Sequence, residues 1–386
     1  MKANFKIDNE NLEAMIDLSI ESFTVDSSPR PYEIKFTNNI FQKIENDIDL
    51  DKFSYVFFID QNIASLYEKE VNFMKNFTYK SFHALEDLKT VDAAFDLCDV
   101  LLNCNANRKT MLYVIGGGIM QDIGAYAAAT FKRGIPWVYV PTTLLGQSDS
   151  CVGGKTGLNY KHTKNLIALF SAPRQVLIDP MFISTLSPND IYSGHGEILR
   201  LVLTGGPVVF KIYKELIGKL KSKGEDFLNP NLNTIKKLIK LSLLVKKSVV
   251  EKDEFEINLR KSMNYGHSIG HAIEILSNHE IPHGQAVAIG ILIENLIAKE
   301  YLSLPENIVK EIHGIAKGII SEDSFSSLES ISKESIIDVM RRDKKVEGKY
   351  LKLATICEYG DMKFIDFPLD DKSEKLVNSF ISQITK

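Results

Sequence analysis

The sequence predicts an α/β domain with a mostly parallel sheet, followed by an all-helical domain. Three observations lead there. Short apolar runs alternate with helical stretches through the first half of the chain, the pattern of strands joined by crossover helices. After QVLID (175–179) the alternation stops, and a helical periodicity continues almost to the end. Between the two, Pro180 and the polar stretch TLSPND (185–190) mark a boundary. The expected division is an N-terminal extension over 1–30, an α/β domain over 31–180 and a helical domain over 181–386.

Taken in order, residues 1–30 read as an amphipathic helix or a partly ordered arm. YVFFID (55–60) is a buried strand ending in Asp60, and YKSFHAL (79–85) is a second strand. LKTVDAAFDLCDVLLNC is a helix. MLYVIGGG (111–118) is a strand running into Gly116, Gly117 and Gly118, followed by the helix IMQDIGAYAAATF and the short strand WVYVP (137–141). PTTLLGQSDSCVGGKTGLNYKHTKN (141–165) is a polar, Gly-rich loop carrying Asp149, Lys155, Lys164 and Asn165. In the second half, GHGEILRLVL puts Glu197 and Arg200 on one helical face at i, i+3. LLVKKSVVEKDEFEINLRKSM then carries Lys246 and Arg260 into NYGHSIGHAIEILSNHEIPHG (264–284). Near the end, Asp343-Lys344-Lys345 forms a basic turn before a short apolar strand.

Composition narrows the function. With 386 residues, a net charge of −4 and 25% charged residues, no excess basicity points to nucleic acid. Cys98, Cys104, Cys151 and Cys357 are scattered without a C-x-x-C pair, which argues against disulfides and cysteine-based zinc sites. The N-terminus has no apolar signal core, and no run approaches the roughly twenty apolar residues of a membrane span. The expectation is a cytoplasmic, soluble protein.

Two stretches carry chemistry. Glycines at a strand-to-helix turn let a ligand approach the backbone, and the helix N-terminus offers free N–H groups to a pyrophosphate. Gly116–Gly118 therefore suggest a dinucleotide, with Asp60 at a strand end to accept ribose hydroxyls; a tight turn without ligand is the plainer alternative. The glycines beside Lys155 suit a phosphate, against the alternative of a solvated loop. His267 and His271, four residues apart, share one helical face, and His283 follows a proline that ends the helix. Converging imidazoles suit a borderline-soft cation such as zinc, and Glu197 is a candidate oxygen ligand. The plainer alternatives are a polar surface helix and a surface Glu–Arg pair.

Together these segments resemble the 3-dehydroquinate synthase and wider sugar phosphate cyclase family. The resemblance rests on GGGIMQDIGAYAAATFKRG, PTTLLGQSDSCVGGKTGLN, KNLI, the Glu197 segment, VVEKDEFEINLR, NYGHSIGHAIE, HG and DKK, in order from about Asp60 to Lys345. It implies a Rossmann-like, dinucleotide-binding N-terminal domain, a helical metal-binding C-terminal domain and an active site in the cleft between them. It implies zinc (or cobalt) on Glu197, His267 and His283, with His271 not a ligand but an acid–base or hydrogen-bonding group beside a phosphate. NAD is implied on Gly116, Gly117, Gly118 and Asp122, with Asp60, Glu86, Lys89, Thr142, Thr143 and Thr185 nearby. The phosphate falls to Lys155, Asn165, Asn264, His271 and one of Lys344 and Lys345, with Arg133 reaching it from the second subunit of a homodimer. Asp149, Lys164, Lys246, Arg260 and Arg200 surround the rest of a sugar phosphate substrate.

The implied reaction turns 3-deoxy-D-arabino-heptulosonate 7-phosphate into 3-dehydroquinate and phosphate by transient oxidation, elimination, reduction and aldol closure. Alternatives within reach of the same pattern are a cyclase for another sugar phosphate, a metal-dependent polyol dehydrogenase and a non-catalytic NAD- and metal-binding homologue. Three features depart from the usual family pattern. Arg200 stands for Lys, His195-Gly196 stands for small apolar residues, and Gln285 stands for Glu.

Overall fold

The computed structural model describes residues 1–28, 30–161, 163–220, 225–228, 230–331, 336–341 and 346–385. They divide into two compact units, one of Ser19–Leu186 and one of Met1–Leu18 with Ser187–Lys386. Lys344 and Lys345 lie outside the described residues. Among the described residues no helix is long and apolar enough to cross a membrane.

The chain opens with β1 (Lys2–Ile7) and β2 (Glu10–Met15), an antiparallel pair, where a helix or arm was expected. The reason is a period of two. Ala3, Phe5 and Ile7 on one strand, and Leu12 and Ala14 on the other, are buried, while the residues between them are exposed. The turn between the strands takes Asp8 into left-handed backbone, which the short polar side chain tolerates.

In the Ser19–Leu186 unit the elements are β3 (Ser22–Val25), β4 (Tyr32–Phe36), α1 (Ile40–Asn46), β5 (Ser54–Asp60), α2 (Gln61–Leu66), β6 (Thr78–Phe82), α3 (Val91–Asn103), β7 (Thr110–Gly116), α4 (Gly118–Thr130), β8 (Trp137–Pro141), the hairpin β9 (Lys155–Tyr160) and β10 (Thr163–Phe170), and β11 (Gln175–Ile178). Seven strands form one sheet in the order β3-β4-β11-β8-β7-β5-β6, parallel except for β3. The central strands read as continuous apolar runs because helices cover both faces. Phe57, Ile59, Tyr113, Ile115, Val138 and Val140 pack with Phe41, Tyr67 and Phe182 on one side. The chain leaves β5 toward β6 on one side and leaves β7 toward β8 on the other. The crevice beyond the carboxyl ends of β5 and β7 is therefore a topological switch point, where ligands of such sheets bind. The stretch read as a loop over 141–165 is partly regular: a helical turn at Gly146–Ser150 precedes β9 and the start of β10.

The second unit continues with α5 (Pro188–Thr204), α6 (Gly206–Ile217), α7 (Glu225–Leu228), α8 (Leu232–Val250), α9 (His267–Leu276), α10 (His283–Leu302), α11 (Glu306–Gly318), α12 (Glu322–Ser330), α13 (Ile336–Met340), β12 (Val346–Glu347), β13 (Tyr350–Glu358), β14 (Asp361–Pro368) and α14 (Asp371–Ile384). Ser187 caps α5 through the Asp190 N–H, with Pro188 in the first turn, where its missing N–H costs nothing. α10 is the central helix, buried on every side from Gly284 to Ala298. The unit is helical as expected, but not entirely. The chain ends add a sheet, β12-β13-β14-β1-β2, in which β1 runs parallel to β14.

Candidate active site

In the Ser19–Leu186 unit, β5 ends at Asp60, β7 at Gly116 and β8 at Pro141, side by side. Asp60 caps α2 by accepting the Asn62 N–H at 2.8 Å, and burial raises its carboxyl above the usual range against that bond. At Gly116 a Cβ would lie 2.3 Å from Met120 Cγ, so no side chain fits that turn. At Gly118 a Cβ would meet nothing within 4 Å, which leaves open space at the N-terminus of α4. Thr142 and Thr143 follow β8. The Thr142 N–H reaches the Gly116 carbonyl at 3.1 Å, and Thr143 Oγ1 accepts the Gly146 N–H at 3.0 Å. Thr185 sits at the end of this unit, its hydroxyl 3.3 Å from that of Tyr67.

Beside this edge, Lys89 is the hub of a polar cluster. Its buried ammonium lies 2.7 Å from Asn165 Oδ1, 3.2 Å from Asp122 Oδ2 and 3.3 Å from Glu86 Oε1. Asp122 also accepts the Gly157 N–H at 3.1 Å, yet burial outweighs Lys89 and pushes its carboxyl up to about 6. Asn159, which the sequence reading did not single out, donates to Glu86 Oε1 at 2.9 Å and accepts the Asn165 N–H at 3.0 Å. The resemblance divides these residues between cofactor and phosphate; the structure joins Glu86, Lys89, Asp122 and Asn165 in one cluster. Lys155 and Lys164 lie on the β9–β10 hairpin, and Asp149 in the helical turn before it. Arg133 follows α4 on left-handed backbone, with φ 64°.

In the second unit, three helices bring Glu197, His267, His271 and His283 together through glycines. α5 and α10 touch at Gly196 and Gly284, where a Cβ on Gly196 would lie 1.9 Å from the Gly284 carbonyl oxygen. α9 and α10 meet at Gly266, Gly270 and Gly290 in the same way. Backbones this close place short side chains on different helices within reach of one another. Glu197 Oε1 lies 3.0 Å from His283 Nε2 and 3.5 Å from His267 Nε2. One nitrogen from each of His267, His271 and His283 falls within 4.8 Å of the others. That is a compact N/O donor set of the type divalent zinc or cobalt takes, and the residues fit such an ion.

Glu197 and Arg200 are not a surface pair. Both are almost fully buried, with Arg200 Nε 2.6 Å from Glu197 Oε2 and Nη1 donating to the Met263 carbonyl at 2.7 Å. Arg200 thus occupies one carboxylate oxygen and leaves the other toward the histidines. Burial alone would raise the Glu197 carboxyl, but Arg200 and the two imidazoles hold it well below the usual range. Burial pulls the His283 imidazolium down, yet Glu197 and Glu274 on its two nitrogens push it up to about 10. Arg260 and Lys246 are buried in the same unit. Asp253 shapes the turn before Arg260 by accepting the Ile257, Asn258 and Arg260 N–H groups. Asn264 donates to Glu256 Oε1 at 3.0 Å.

Two family models match the chain, the 3-dehydroquinate synthase N-terminal model over residues 80–193 and the C-terminal model over residues 194–346. The 3-dehydroquinate synthase of Pelagibacter ubique is 33% identical over 383 residues, covering 94% of this chain and 98% of the relative. The chain belongs to the 3-dehydroquinate synthase family. Among solved structures, 2-deoxy-scyllo-inosose synthase complexed with carbaglucose-6-phosphate, NAD+ and Co2+ superposes with a TM-score of 0.79 at 22% identity, covering 94% of this chain and 99% of that one. The 2-epi-5-epi-valiolone synthase from Streptomyces hygroscopicus subsp. jinggangensis 5008, with NAD+ and Zn2+ bound, superposes at 0.75 and 21% identity, covering 92% and 96%. These two share the fold.

Departures from the 3-dehydroquinate synthase pattern now have surroundings. Gly196 is where α5 touches α10. Gln285 donates to Asn189 Oδ1 at 3.3 Å and accepts the Ser321 N–H at 2.8 Å, so among the described residues its hydrogen bonds run between helices and to none of the histidines. His195 is fully buried against Phe227, with ring centroids 4.6 Å apart and both nitrogens without a hydrogen-bond partner among the described residues. Burial lowers its imidazole to about 3, so it is neutral. A buried polar group left unsatisfied costs about 1–3 kcal/mol. His195→Leu is therefore expected to stabilise the protein by about 1 kcal/mol, raising Tm by about 2–4 °C in a scan. A lower Tm would mean that the imidazole is hydrogen-bonded in solution.

Glu274 and Asp253 were missed by the sequence reading. Glu274 stands seven residues after His267, on the same helical face, so extending the i, i+4 count by one step finds it. The Met263 carbonyl on Arg200 left no signal in the sequence.

Proposed function

We propose that the protein converts 3-deoxy-D-arabino-heptulosonate 7-phosphate into 3-dehydroquinate and inorganic phosphate, as a cytoplasmic homodimer using NAD and a divalent cation. One observation carries this reading. Glu197, His267 and His283 converge in a unit that also buries Lys246 and Arg260, two cations suited to a carboxylate. When bound, NAD takes and returns one hydride and the cation polarises hydroxyl and carbonyl oxygens, so no net oxidation results.

This chain's own residues do the rest. Gly117 and Gly118 open the N-terminus of α4 to a pyrophosphate, with Asp60, Glu86, Lys89, Asp122, Thr142, Thr143 and Thr185 around the nucleotide. Lys155, Asn165, Asn264 and His271 receive the departing phosphate, and Arg133 of the second copy reaches the same group. There a C–H proton passes to His271, a C=C bond forms and the C–O bond to phosphate breaks. Asp149 and Lys164 hold hydroxyls, while Lys246 and Arg260 hold the carboxylate. One of Lys344 and Lys345, which lie outside the described residues, completes the phosphate site in this proposal.

A cyclase for another sugar phosphate is the second reading, and Arg200 favours it. A guanidinium fixed between Glu197 and the Met263 carbonyl does not replace a lysine at a substrate. Phosphate release separates the two readings. The purified protein with zinc and catalytic NAD is offered 3-deoxy-D-arabino-heptulosonate 7-phosphate, sedoheptulose 7-phosphate or glucose 6-phosphate while NADH is followed. Turnover of the first without net NADH supports the proposal; release only from another sugar supports the second reading. Accumulating NADH without phosphate would indicate a dehydrogenase instead.

Arg260→Ala tests the carboxylate role. A charged hydrogen bond contributes about 1.5–3 kcal/mol, so KM for the carboxylated substrate should rise about 10- to 100-fold. A sugar phosphate without that carboxylate should change far less. Equal effects would take Arg260 out of this role.

A further inference from the structure

We propose that Glu274 is the positioning residue of the metal centre, accepting a hydrogen bond from His283 Nδ1 so that Nε2 of that ring faces the cation. The proposal rests on the metal-binding reading above and adds a residue that never touches the ion. Its geometry is direct. Glu274 Oε2 lies 3.0 Å from His283 Nδ1, while the other nitrogen of the same ring lies 3.0 Å from Glu197 Oε1. With a cation in place of the Nε2 proton, the imidazole donates Nδ1–H to the carboxylate and carries its lone pair on Nε2, so the tautomer and the ring plane are set together. The carboxylate also makes that lone pair a stronger donor.

Three further observations support this role. First, α9 presents His267, His271 and Glu274 at i, i+4 and i+7, so one helical face supplies imidazoles and the group that orients a third imidazole from α10. Second, Glu274 sits in the last turn of α9, where the helix dipole disfavours a negative charge; helix stability does not account for a carboxylate there. Third, its other oxygen is held as well. His279 Nδ1 lies 3.2 Å from Glu274 Oε1, fixing the carboxylate between two rings. His267 is oriented by other means, its Nδ1 lying 3.2 Å from the Tyr265 carbonyl with Nε2 toward Glu197. The two ligand imidazoles thus point the same nitrogen inward, one set by backbone and one by a side chain.

The test uses Glu274→Ala and Glu274→Gln in the full-length protein, with Zn2+ affinity from chelator competition and the visible spectrum of the Co2+ form as readouts. Loss of an outer partner of a ligating histidine typically costs about 10- to 100-fold in metal affinity, and that is the loss expected for the alanine variant, with altered Co2+ bands. Glutamine still accepts the Nδ1–H through its amide oxygen, so it should restore the Co2+ bands and most of the affinity. An alanine variant with the parent affinity and spectrum would overturn the proposal. So would a folded glutamine variant as deficient as alanine, because charge or packing rather than orientation would then be at work. If alanine fails to fold, the glutamine spectrum alone decides. Failure of the parent protein to bind either metal would instead remove the metal-binding reading itself.

Discussion

His267→Ala is expected to abolish metal retention and phosphate release together. The imidazole lies 3.5 Å from Glu197 Oε1 and within 4.8 Å of the other two histidine nitrogens. A site of three protein ligands that loses one keeps too few donors to hold the ion. The loss in Zn2+ affinity should exceed the roughly 10- to 100-fold typical of an outer-shell change. Fold should survive, because alanine is the best helix former and His267 stands at the first position of α9. Metal content by elemental analysis, with Tm measured in parallel, checks this. Full occupancy in a folded variant would remove His267 from the ligand set.

Gly196→Ala should reach the same site without touching a ligand. The new Cβ would lie 1.9 Å from the Gly284 carbonyl oxygen, a backbone atom that cannot swing aside. α5 and α10 must then separate, which carries Glu197 away from His283. Overpacking of this kind costs about 1–3 kcal/mol in stability. The metal centre should suffer more, since donor atoms must hold their positions within a few tenths of an ångström. Tm and Zn2+ affinity should therefore both fall, with affinity down about tenfold or more. A variant that binds Zn2+ like the parent would show that the helices do not set the ligand spacing.

How much was legible depended on how local the cause was. β5, β7, β8 and α3 could be read directly, because a buried parallel strand is a continuous apolar run and a helix repeats every 3.6 residues. The first two strands were missed although their period-two pattern is plain in KANFKI and NLEAM; they pair with each other, and the strand that ties β1 into a larger sheet, β14, lies some 350 residues away in the chain. Residue types suited to a dinucleotide and a metal were visible in Gly116–Gly118, His267, His271 and His283. The one-face spacing in α9 even contained Glu274.

Local pattern alone therefore determined the two kinds of domain, the strand–glycine–helix turn and a histidine-rich helix, because each follows from spacing along a few turns of backbone. Tertiary structure decided which of those residues meet. It drew Glu197 and His283 to 3.0 Å across touching glycines, turned Arg200 onto Glu197 in a buried pair, and made Lys89 the centre of a cluster from three segments. It also packed His195 against Phe227. The reason is physical. Convergence of side chains from distant segments depends on how closely helices and strands can pack, and that is set by all the contacts of the core at once.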